Sequence, residues 1–376
     1  MTLPPSAQRR LTAAVLGTGG ISKEHLGFLA ASRDIDLVGV CDRSPAALRH
    51  AAETYSTTGF ATFGEMLDQA QPDVVHVLTP PATHSALSAE ALEAGSHVIC
   101  EKPITATAAE LQDLLAVARR CDRVLTENHN YRFNPEVEAL VALTGDGPLG
   151  DVVEVEVRIH LPVTDPAGRF GDPNLPSPIH DLPAGVVHDF ITHFTYLVNY
   201  LSGGARWERV ASEWSAHCGA AHIPVDDLDA ILVGSAPWGP VHGRIRFSAL
   251  ASPDEFEVTV RGANGYAQAE LFSGRWVENR PRRVGDQLNS IANLMIGGVN
   301  QFLGGPRSFA RKIMQAGPYA GLNRFLEETY RSLANETPVP VGPEEMLAAS
   351  ELIDRLVAGR RESASDLTET TREGQR

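Results

Sequence analysis

The stretch that decides the fold is Ala14-Val15-Leu16-Gly17-Thr18-Gly19-Gly20-Ile21-Ser22. An apolar strand breaks here into a glycine turn, and the residues that follow have a helical pattern. Gly17 can make the tight turn, and Gly19 has no Cβ to block an approaching phosphate. The next helix would point its free N–H groups and positive dipole end at that anion. The stretch therefore predicts a dinucleotide-binding turn, with Ser22 in the place of the third glycine.

The next strand ends at an acid, as such a turn requires. Residues 35–41 are mostly apolar and lead into Asp42, which follows the turn by about twenty residues, the spacing at which a carboxylate binds the adenine ribose. A carboxylate repels a 2′-phosphate and so favours NAD, whereas Arg43 can pair with that phosphate and keeps NADP possible. The sequence thus predicts a Rossmann βαβ unit that binds NAD or, alternatively, NADP.

Composition limits the classes of partner. The chain has 376 residues, enough for two domains with separate cores, and a formal net charge of -15 that opposes nucleic acid and anionic membranes. Its four cysteines form no C-x-x-C pair, which suits a reducing compartment and provides no zinc framework. Because no stretch reaches transmembrane length, we predict a cytoplasmic protein with no nucleic-acid partner and no membrane span.

The hydrophobic pattern changes once along the chain. Up to about residue 127, short apolar runs alternate with amphipathic ones, which is typical of a parallel sheet covered by helices. After Pro148 the strands alternate apolar and charged residues, which predicts an open, mainly antiparallel sheet. We therefore predict an α/β fold in five parts: an N-terminal extension 1–10, a Rossmann domain 11–148, an α+β domain 149–342, helices at about 343–358 that pack back on the Rossmann domain, and a flexible tail 359–376.

Three residues stand out as candidates for acid–base chemistry. Lys102 follows a strand of the parallel sheet, at the carboxyl edge where such sheets bind ligands, and Pro103 leaves a cis peptide open. Asp189 and His193 are four residues apart on an otherwise apolar helix, so they share one face, and a carboxylate beside an imidazole makes a proton acceptor near neutral pH. The alternatives are a solvated lysine, an acid at a helix N-terminus and a core histidine. His188, on another face, is a lesser candidate.

A metal site is the other possibility for this segment. Zinc or iron needs several ligands that converge at bonding distance. The spacing matches no metal motif, so we predict no metal among the five candidate ligands His180, Asp181, His188, Asp189 and His193.

Together these motifs resemble the Gfo/Idh/MocA oxidoreductases, the glucose–fructose oxidoreductase and inositol dehydrogenase group. The resemblance implies a Rossmann domain followed by an α+β domain whose open sheet often forms the interface of a dimer or tetramer, so a homodimer or homotetramer is expected. The matching pieces occur in family order and reach about residue 200: 14–22, Asp42, Thr79-Pro80 with His84, Glu101-Lys102-Pro103, 131–135 and Asp189-x-x-x-His193.

The resemblance also implies roles. His193 would be the general acid or base on a substrate hydroxyl, Lys102 would bond the same oxygen, and Asp189 would orient the substrate or tune His193. Asn130 and Arg132 are assigned to the nicotinamide or the substrate, with a structural salt bridge as the alternative for Arg132. The predicted cofactor-binding residues are Gly17, Thr18, Gly19, Gly20, Ile21, Asp42, Arg43, Thr79, Pro80, His84, Glu101, Lys102, Asn130 and Arg132.

Three features depart from the family pattern. Tyr196 stands where many members have an acid, three residues after the histidine, and the helix begins with Pro183-Ala184-Gly185 instead of a run of glycines. Residues 287–314 lie outside the resemblance. Core packing is the favoured interpretation of that segment, with a substrate lid, an oligomer contact or a site for an anionic or lipid-linked sugar as alternatives.

The predicted function is an NAD(P)-dependent dehydrogenase or ketoreductase. The family implies that its substrate is a secondary alcohol or ketone of a sugar, a cyclitol or a nucleotide sugar, while the residues alone imply hydride transfer with Lys102 and His193 as the acid–base pair. One alternative is an enzyme with tightly held NAD that uses a transient oxidation for elimination or glycoside hydrolysis. Another is a cofactor-binding protein of this fold without turnover.

Overall fold

The computed structural model describes residues 10–165, 170–172, 174, 177–220, 222–282, 284–285, 288–299, 302 and 320–373. The chain divides into two compact units. The first comprises Met1–His129 with Leu322–Leu347, and the second comprises Asn130–Gly321 with Ala348–Arg376. Within the described part of the chain, no helix is both long enough and apolar enough to cross a membrane.

The first unit is built on a six-stranded parallel sheet in the order β3-β2-β1-β4-β5-β6. The inner strands are almost wholly buried, because helices cover a parallel sheet on both faces. The chain reverses its direction of winding between β1 and β4, and sheets of this kind bind ligands at the carboxyl ends of such strands. The strands are β1 Leu11–Leu16, β2 Ile35–Cys41, β3 Gly59–Phe60, β4 Val74–Val77, β5 His97–Cys100 and β6 Leu125–Glu127.

The second unit contains a seven-stranded sheet in the order β13-β12-β11-β7-β10-β9-β8. β7 and β10 are parallel, and every other pair is antiparallel. Along β7, Val155, Val157 and Ile159 are buried while the residues between them are partly exposed, which is the alternation of a sheet with one solvated face. The strands are β7 Val152–His160, β8 Arg206–Ser215, β9 Asp227–Ala236, β10 Gly239–Ser248, β11 Glu255–Gly262, β12 Gly265–Glu270 and β13 Arg275–Asn279.

Capping side chains fix where several helices begin. Ser44, Thr62 and Thr107 each accept a hydrogen bond from a first-turn N–H, of α2, α3 and α5 respectively, which satisfies a group that has no partner inside the helix. The helices are α1 Ser22–Ala31, α2 Pro45–Tyr55, α3 Phe63–Ala70, α4 His84–Glu93, α5 Ala108–Cys121, α6 Pro135–Ala142, α7 Gly185–Leu201, α8 Ala320–Ala334 and α9 Pro343–Glu373. Residues 288–299 are also helical.

The boundary between the units lies earlier than the sequence predicted. We expected it at 148/149, where the strand pattern changes, but the first unit ends at His129. Helix α6, which the sequence analysis did not identify, already belongs to the second unit because Val137 and Leu140 lie in that unit's core. The change of strand type therefore marks the second sheet and not the start of the second unit.

The prediction for the C-terminal helices needs two corrections. Residues 343–358 were expected on the Rossmann domain, but from Ala348 onward α9 belongs to the second unit, and Leu352 and Leu356 lie in its core. There Trp214 Nε1 donates to the carbonyl oxygen of Leu356 at 3.0 Å. The predicted flexible tail is also helical as far as Glu373, since its Arg, Glu and Ala residues favour helix and no proline interrupts them.

The predicted core packing of 287–314 is wrong for its described residues. Residues 288–299 are helical, yet the side chains of Leu294, Met295 and Phe302 are 77%, 68% and 82% exposed. The basic residues of this segment that would favour an anionic sugar, Arg307, Arg311 and Lys312, lie outside the described residues. Most of the predicted N-terminal extension also lies outside them.

Candidate active site

The glycine turn joins the carboxyl ends of three central strands. Gly17 has a φ of +95°, which disfavours any residue with a side chain, and a Cβ there would lie 2.8 Å from the carbonyl oxygen of Leu78, after β4. Its N–H donates to the carbonyl oxygen of Cys41, in β2, at 2.8 Å. At Gly19, by contrast, none of the described atoms comes within 4 Å of the Cβ position. The first glycine is therefore required by packing, while the second faces open space.

Helix α1 begins directly after this turn, where the N–H groups of Ser22 and Glu24 donate to the carbonyl oxygens of Gly19 and Ile21, each at 3.1 Å. Among the described residues, no side chain caps α1 at Ile21, in contrast to α2, α3 and α5. Ser22 Oγ donates to the carbonyl oxygen of Gly19 at 2.6 Å and so uses the third fingerprint position to hold the turn. Exposed Gly19 and Gly20 with an uncapped helix N-terminus fit the pyrophosphate of a dinucleotide.

Asp42 closes the same turn from the end of β2. One oxygen, Oδ2, accepts from Thr18 N at 2.7 Å and Thr18 Oγ1 at 2.9 Å, and Oδ1 accepts from Ser44 N at 2.7 Å. Burial acts to raise the pKa of Asp42, but the hydrogen bonds from Ser44 and Thr18 outweigh it and lower that pKa. An ionised carboxylate at this place fits a ribose diol, and Arg43 beside it is exposed.

His84 ties together two loops at the same edge of the sheet. Its ring is buried, with Nε2 2.6 Å from the carbonyl oxygen of Thr79 and Nδ1 2.8 Å from that of Pro103. The Lys102–Pro103 peptide bond is cis. His84 is predicted to bind cofactor, and in the structure its two ring nitrogens face backbone oxygens of the loops that carry Thr79, exposed Pro80 and Lys102.

Glu101 supports the backbone of the loop that presents Lys102. Its Oε1 accepts from Asn128 Nδ2 at 2.6 Å and lies 3.2 Å from His25 Nε2, and its Oε2 accepts from Lys102 N at 3.3 Å. Burial acts to raise the pKa of Glu101, but the hydrogen bond and charge of His25 outweigh it and lower that pKa. The half-buried Lys102 thus follows an ionised, fully engaged carboxylate.

In the second unit, Asn130 and Arg132 lie on a short 3₁₀ turn, Asn130–Phe133. The guanidinium of Arg132 stacks over the ring of Tyr200, 4.3 Å from its centroid. Arg132 was predicted to bind cofactor or to form a salt bridge, and the structure adds a cation–π contact with an aromatic residue of α7. Asn130 is buried.

Helix α7 carries the two remaining candidates and one that the sequence left unassigned. Its apolar residues lie in the core, Asp189 is half-buried and His193 is buried. His193 Nδ1 lies 2.9 Å from Tyr196 Oη, which also accepts from Tyr131 N at 3.2 Å. Because a phenol can both donate and accept, Tyr196 can pair with Nδ1 whether or not that nitrogen carries a proton. The residue that departs from the family pattern is therefore a direct partner of His193.

The described residues contain no group of three or more His, Cys, Asp and Glu side chains arranged to hold a metal ion. Several buried polar groups that sequence reasoning missed lie in the first unit. His25, His76 and Tyr330 form a chain that ends at Glu101, and His129 lies between Glu127 and Glu345. The available signal was weak: a histidine in the otherwise apolar strand β4, and a histidine on the first turns of α1.

Comparison with known proteins finds one family whose sequence model matches most of the first unit. Residues 11–129 match the sequence model of the oxidoreductase family with an NAD-binding Rossmann fold, Gfo/Idh/MocA. The D-glucoside 3-dehydrogenase of Escherichia coli K12 is 31% identical over 150 residues, 39% of this chain and 43% of that protein. A dTDP-3,4-didehydro-2,6-dideoxy-alpha-D-glucose 3-reductase of Streptomyces violaceoruber is 33% identical over 155 residues, 41% and 45% of the two chains. The chain thus spans less than half the length of these curated relatives.

Solved structures resemble the whole chain in fold. The WlbA dehydrogenase of Bordetella pertussis, solved with NADH and UDP-GlcNAcA, superposes with a TM-score of 0.72 at 18% identity over 96% of this chain and 98% of that one. A putative myo-inositol dehydrogenase of Sinorhizobium meliloti gives 0.67 at 22% identity over 93% and 98%.

Fold and turn define the class as a two-unit α/β protein with a dinucleotide-binding Rossmann domain and a mainly antiparallel second sheet. Within that domain, residues 11–129 match the NAD-binding Rossmann fold of the Gfo/Idh/MocA oxidoreductase family.

Proposed function

We propose that the protein is an NAD-dependent dehydrogenase or ketoreductase that acts on a secondary alcohol of a sugar, a cyclitol or a nucleotide sugar. The observation that carries the proposal is the position of Lys102, which follows β5 at the ligand-binding edge of the same parallel sheet whose turn fits a dinucleotide. The names of the curated relatives, a glucoside dehydrogenase and a nucleotide-sugar reductase, support the substrate class.

The proposed chemistry assigns one step to each side chain. In the oxidation direction the substrate carbon gives up a hydride and its hydroxyl gives up a proton, which His193 accepts. The Lys102 ammonium stabilises the negative charge that develops on that oxygen, and Asp189 orients the substrate or tunes His193. Bound NAD supplies the hydride acceptor, so the protein itself positions and polarises the reactants.

Asp42 supports NAD over NADP as the working cofactor. Its pKa is lowered by Ser44 and Thr18, so the carboxylate is ionised at neutral pH and would repel a 2′-phosphate. For assembly, we propose a homodimer or homotetramer formed through the second sheet, which has a partly exposed face. The free cysteines, two of them buried, support a reducing, cytoplasmic location.

The test is a titration of the purified protein with NADH and NADPH, followed by a screen of sugars, cyclitols and nucleotide sugars for a change in nicotinamide absorbance. We expect saturable binding, tighter for NADH, and a change that depends on one substrate class. Binding without any substrate-dependent change would contradict the proposal and favour a bound-cofactor enzyme or a protein without turnover.

A matched pair of variants connects the result to the turn. Gly17→Ala should abolish binding, because Gly17 has a positive φ and no room for a Cβ. Gly27→Ala is the control, since Gly27 lies within α1 and none of the described atoms comes near its Cβ position.

A further inference from the structure

A chain of four titratable side chains runs through the interior of the first unit. Tyr330 Oη lies 2.8 Å from His76 Nε2, His76 Nδ1 lies 2.8 Å from His25 Nδ1, and His25 Nε2 lies 3.2 Å from Glu101 Oε1. Both histidine rings are 0% exposed, and the other two residues are also buried. The four residues come from α8, β4, α1 and the residue that follows β5, so the chain connects four separate elements.

The two ends of this chain lie in different surroundings. At one end, Glu101 precedes Lys102 and holds its backbone N–H, and the charge of Lys102 acts on Glu101. At the other end, Tyr330 lines a cavity of about 280 Å³. The charged groups around that end are Asp73, which acts on Tyr330, and the side chains that line the cavity, Arg10, Asp34, Glu327 and Arg331.

Hydrogen-bond chemistry allows this chain two proton arrangements. One proton must lie between the two Nδ1 atoms, because two lone pairs at 2.8 Å would repel each other. In the first arrangement His76 holds it, Tyr330 donates to His76, and neutral His25 donates to the Glu101 carboxylate. In the second, His25 is an imidazolium that donates at both nitrogens, and His76 donates through Nε2 to Tyr330 Oη. The second arrangement contains one proton more than the first.

We propose that this chain carries one proton between the cavity beside Tyr330 and the Glu101–His25 pair beside Lys102. A hydronium ion in the cavity gives a proton to Tyr330 Oη, and the original phenolic proton passes to His76 Nε2. At the same time, the proton on His76 Nδ1 passes to His25 Nδ1. Three bonds to hydrogen break, at the hydronium, at Tyr330 Oη and at His76 Nδ1, and three form. The products are one water molecule and a His25 imidazolium paired with ionised Glu101, and the reverse sequence returns the proton to the cavity.

The pKa shifts of the buried groups favour proton transfer from Tyr330 towards Glu101. Burial, followed by the charge of His25, lowers the pKa of His76 well below its ordinary value, so His76 relays the proton without keeping it. Burial raises the pKa of Tyr330 well above its ordinary value, so the phenol stays protonated at rest. The carboxylate of Glu101 holds the positive charge at the far end. The path thus sets the charge next to Lys102, and its relevance to catalysis rests on the proposed function.

The proton arrangement can be read directly from histidine nitrogens. We would label the full-length protein with [¹⁵N]histidine and follow the ring nitrogens by long-range ¹⁵N–¹H correlation as pH is varied, with assignments from His25→Asn and His76→Asn. We expect His76 to stay singly protonated and its proton to move from Nδ1 to Nε2 in the same pH step in which His25 gains its second proton. A single His76 tautomer at every pH would overturn the proposal, because the chain would then be a fixed scaffold.

A variant cuts the chain at its cavity end. Tyr330→Phe removes only the hydroxyl, so the His76 Nε2 proton has no acceptor and the coupled step should be lost. Tyr55→Phe is the matched control, because Tyr55 donates to the carbonyl oxygen of Lys23 outside the chain and its loss should leave the step unchanged. An unaltered step in Tyr330→Phe would also overturn the proposal.

If Tyr330→Phe does not fold, the tautomer measurement on the unmodified protein still tests the proposed proton path. The experiment needs neither substrate nor turnover. A protein that fails the dehydrogenase screen but shows the coupled tautomer change would refute the proposed function and leave the proton path standing.

Discussion

Two buried histidines in the two units have opposite kinds of partner. In the first unit, His129 lies between two carboxylates, with Nε2 2.9 Å from Glu127 and Nδ1 3.5 Å from Glu345. Burial acts to lower the pKa of His129, but the hydrogen bond to Glu127 and then that to Glu345 outweigh it and raise that pKa. In the second unit, His193 Nδ1 faces the neutral hydroxyl of Tyr196.

The difference teaches how one residue type can serve structure or chemistry. A carboxylate stabilises the imidazolium and fixes which nitrogens carry protons, so His129 acts as a charged clamp. A phenol can both accept and donate a hydrogen bond, so Tyr196 can pair with His193 Nδ1 in either protonation state. His129 thus has a carboxylate on each side, whereas the Tyr196 hydroxyl beside His193 Nδ1 can act as donor or acceptor.

The largest effect should follow removal of either proposed acid–base group, Lys102 in the first unit or His193 in the second. Lys102→Ala and His193→Ala should each lower kcat by about 10²- to 10⁴-fold, the range for general acid–base catalysis, with little change in the Kd for NAD. The measurements are steady-state kinetics on the substrate found by the screen and a fluorescence titration of NADH. His50→Ala, at an exposed histidine of α2, is the control. Near-normal turnover in either variant would contradict its proposed role and remove the contrast between His193 and His129.

The next largest effect concerns stability and the clamp in the first unit. Glu127→Gln should lower the free energy of unfolding by about 3 kcal/mol near pH 6, because it leaves a buried imidazolium with a weaker partner. Since the folded-state pKa of His129 is raised above 6.5, this contribution is complete below that pH and is lost as pH rises through the folded-state value. Urea unfolding at pH 6 and pH 9 should therefore show a smaller difference from the unmodified protein at the higher pH.

The control for this prediction is an exposed ion pair. Glu93 accepts from Arg120 at 2.9 Å with both side chains largely exposed, so Glu93→Gln should change stability by less than about 1 kcal/mol at either pH. A Glu127→Gln effect that is equally large at both pH values would mean that His129 is held neutral and that the clamp is not charged.

The sequence predicted the elements well because their signals are local. The apolar run 97–100, the alternating pattern 152–160 and the apolar stretch at about 185–201 predict β5, β7 and α7, and the structure forms these elements with those bounds. The turn at Gly17 follows β1, where the winding of the sheet reverses. The packing of α9 could not be predicted in this way. An amphipathic pattern shows that a helix buries one face but not which core covers that face, and here residues from Ala348 onward lie against the second sheet.

The same limit applies to the site. Spacing along the chain predicted Asp42 beside the turn and the shared helix of Asp189 and His193. Tyr196 was three residues from His193 and therefore within reach on the same helix, yet it was noted only as a departure from the family. His76 and Tyr330 are 254 residues apart, so no local pattern indicates their hydrogen bond, which only the packing of α8 beside β4 creates.

A smaller effect is expected at the ribose site. Asp42→Ala should raise the Kd for NAD by roughly tenfold to a hundredfold, the loss of charged hydrogen bonds worth about 1.5 to 3 kcal/mol, and should raise the Kd for NADP less. Asp42, which Thr18 and Ser44 keep ionised, resembles His129 in that its neighbours stabilise its charged form. Parallel titrations with the two cofactors measure the change, and Asp34→Ala, at an exposed acid, is the control. An unchanged NAD/NADP preference would remove Asp42 from the ribose site.

The smallest effect tests the partner of His193 itself. Tyr196→Phe removes two neutral hydrogen bonds, the one with His193 Nδ1 and the one from Tyr131 N, each worth about 1 kcal/mol. Only the first involves the proposed acid–base group, so kcat should fall by no more than about tenfold, and the pH profile of kcat should shift as this contact with Nδ1 is lost. The NAD affinity should stay the same, because the hydroxyl that is removed pairs with His193 and Tyr131, neither of which is among the predicted cofactor-binding residues. Tyr266→Phe, on β12 under the guanidinium of Arg261, is the matched control. If kcat falls in Tyr196→Phe while its pH profile stays that of the unmodified enzyme, Tyr196 only packs α7 against Tyr131, and the contrast with His129 carries no chemical meaning.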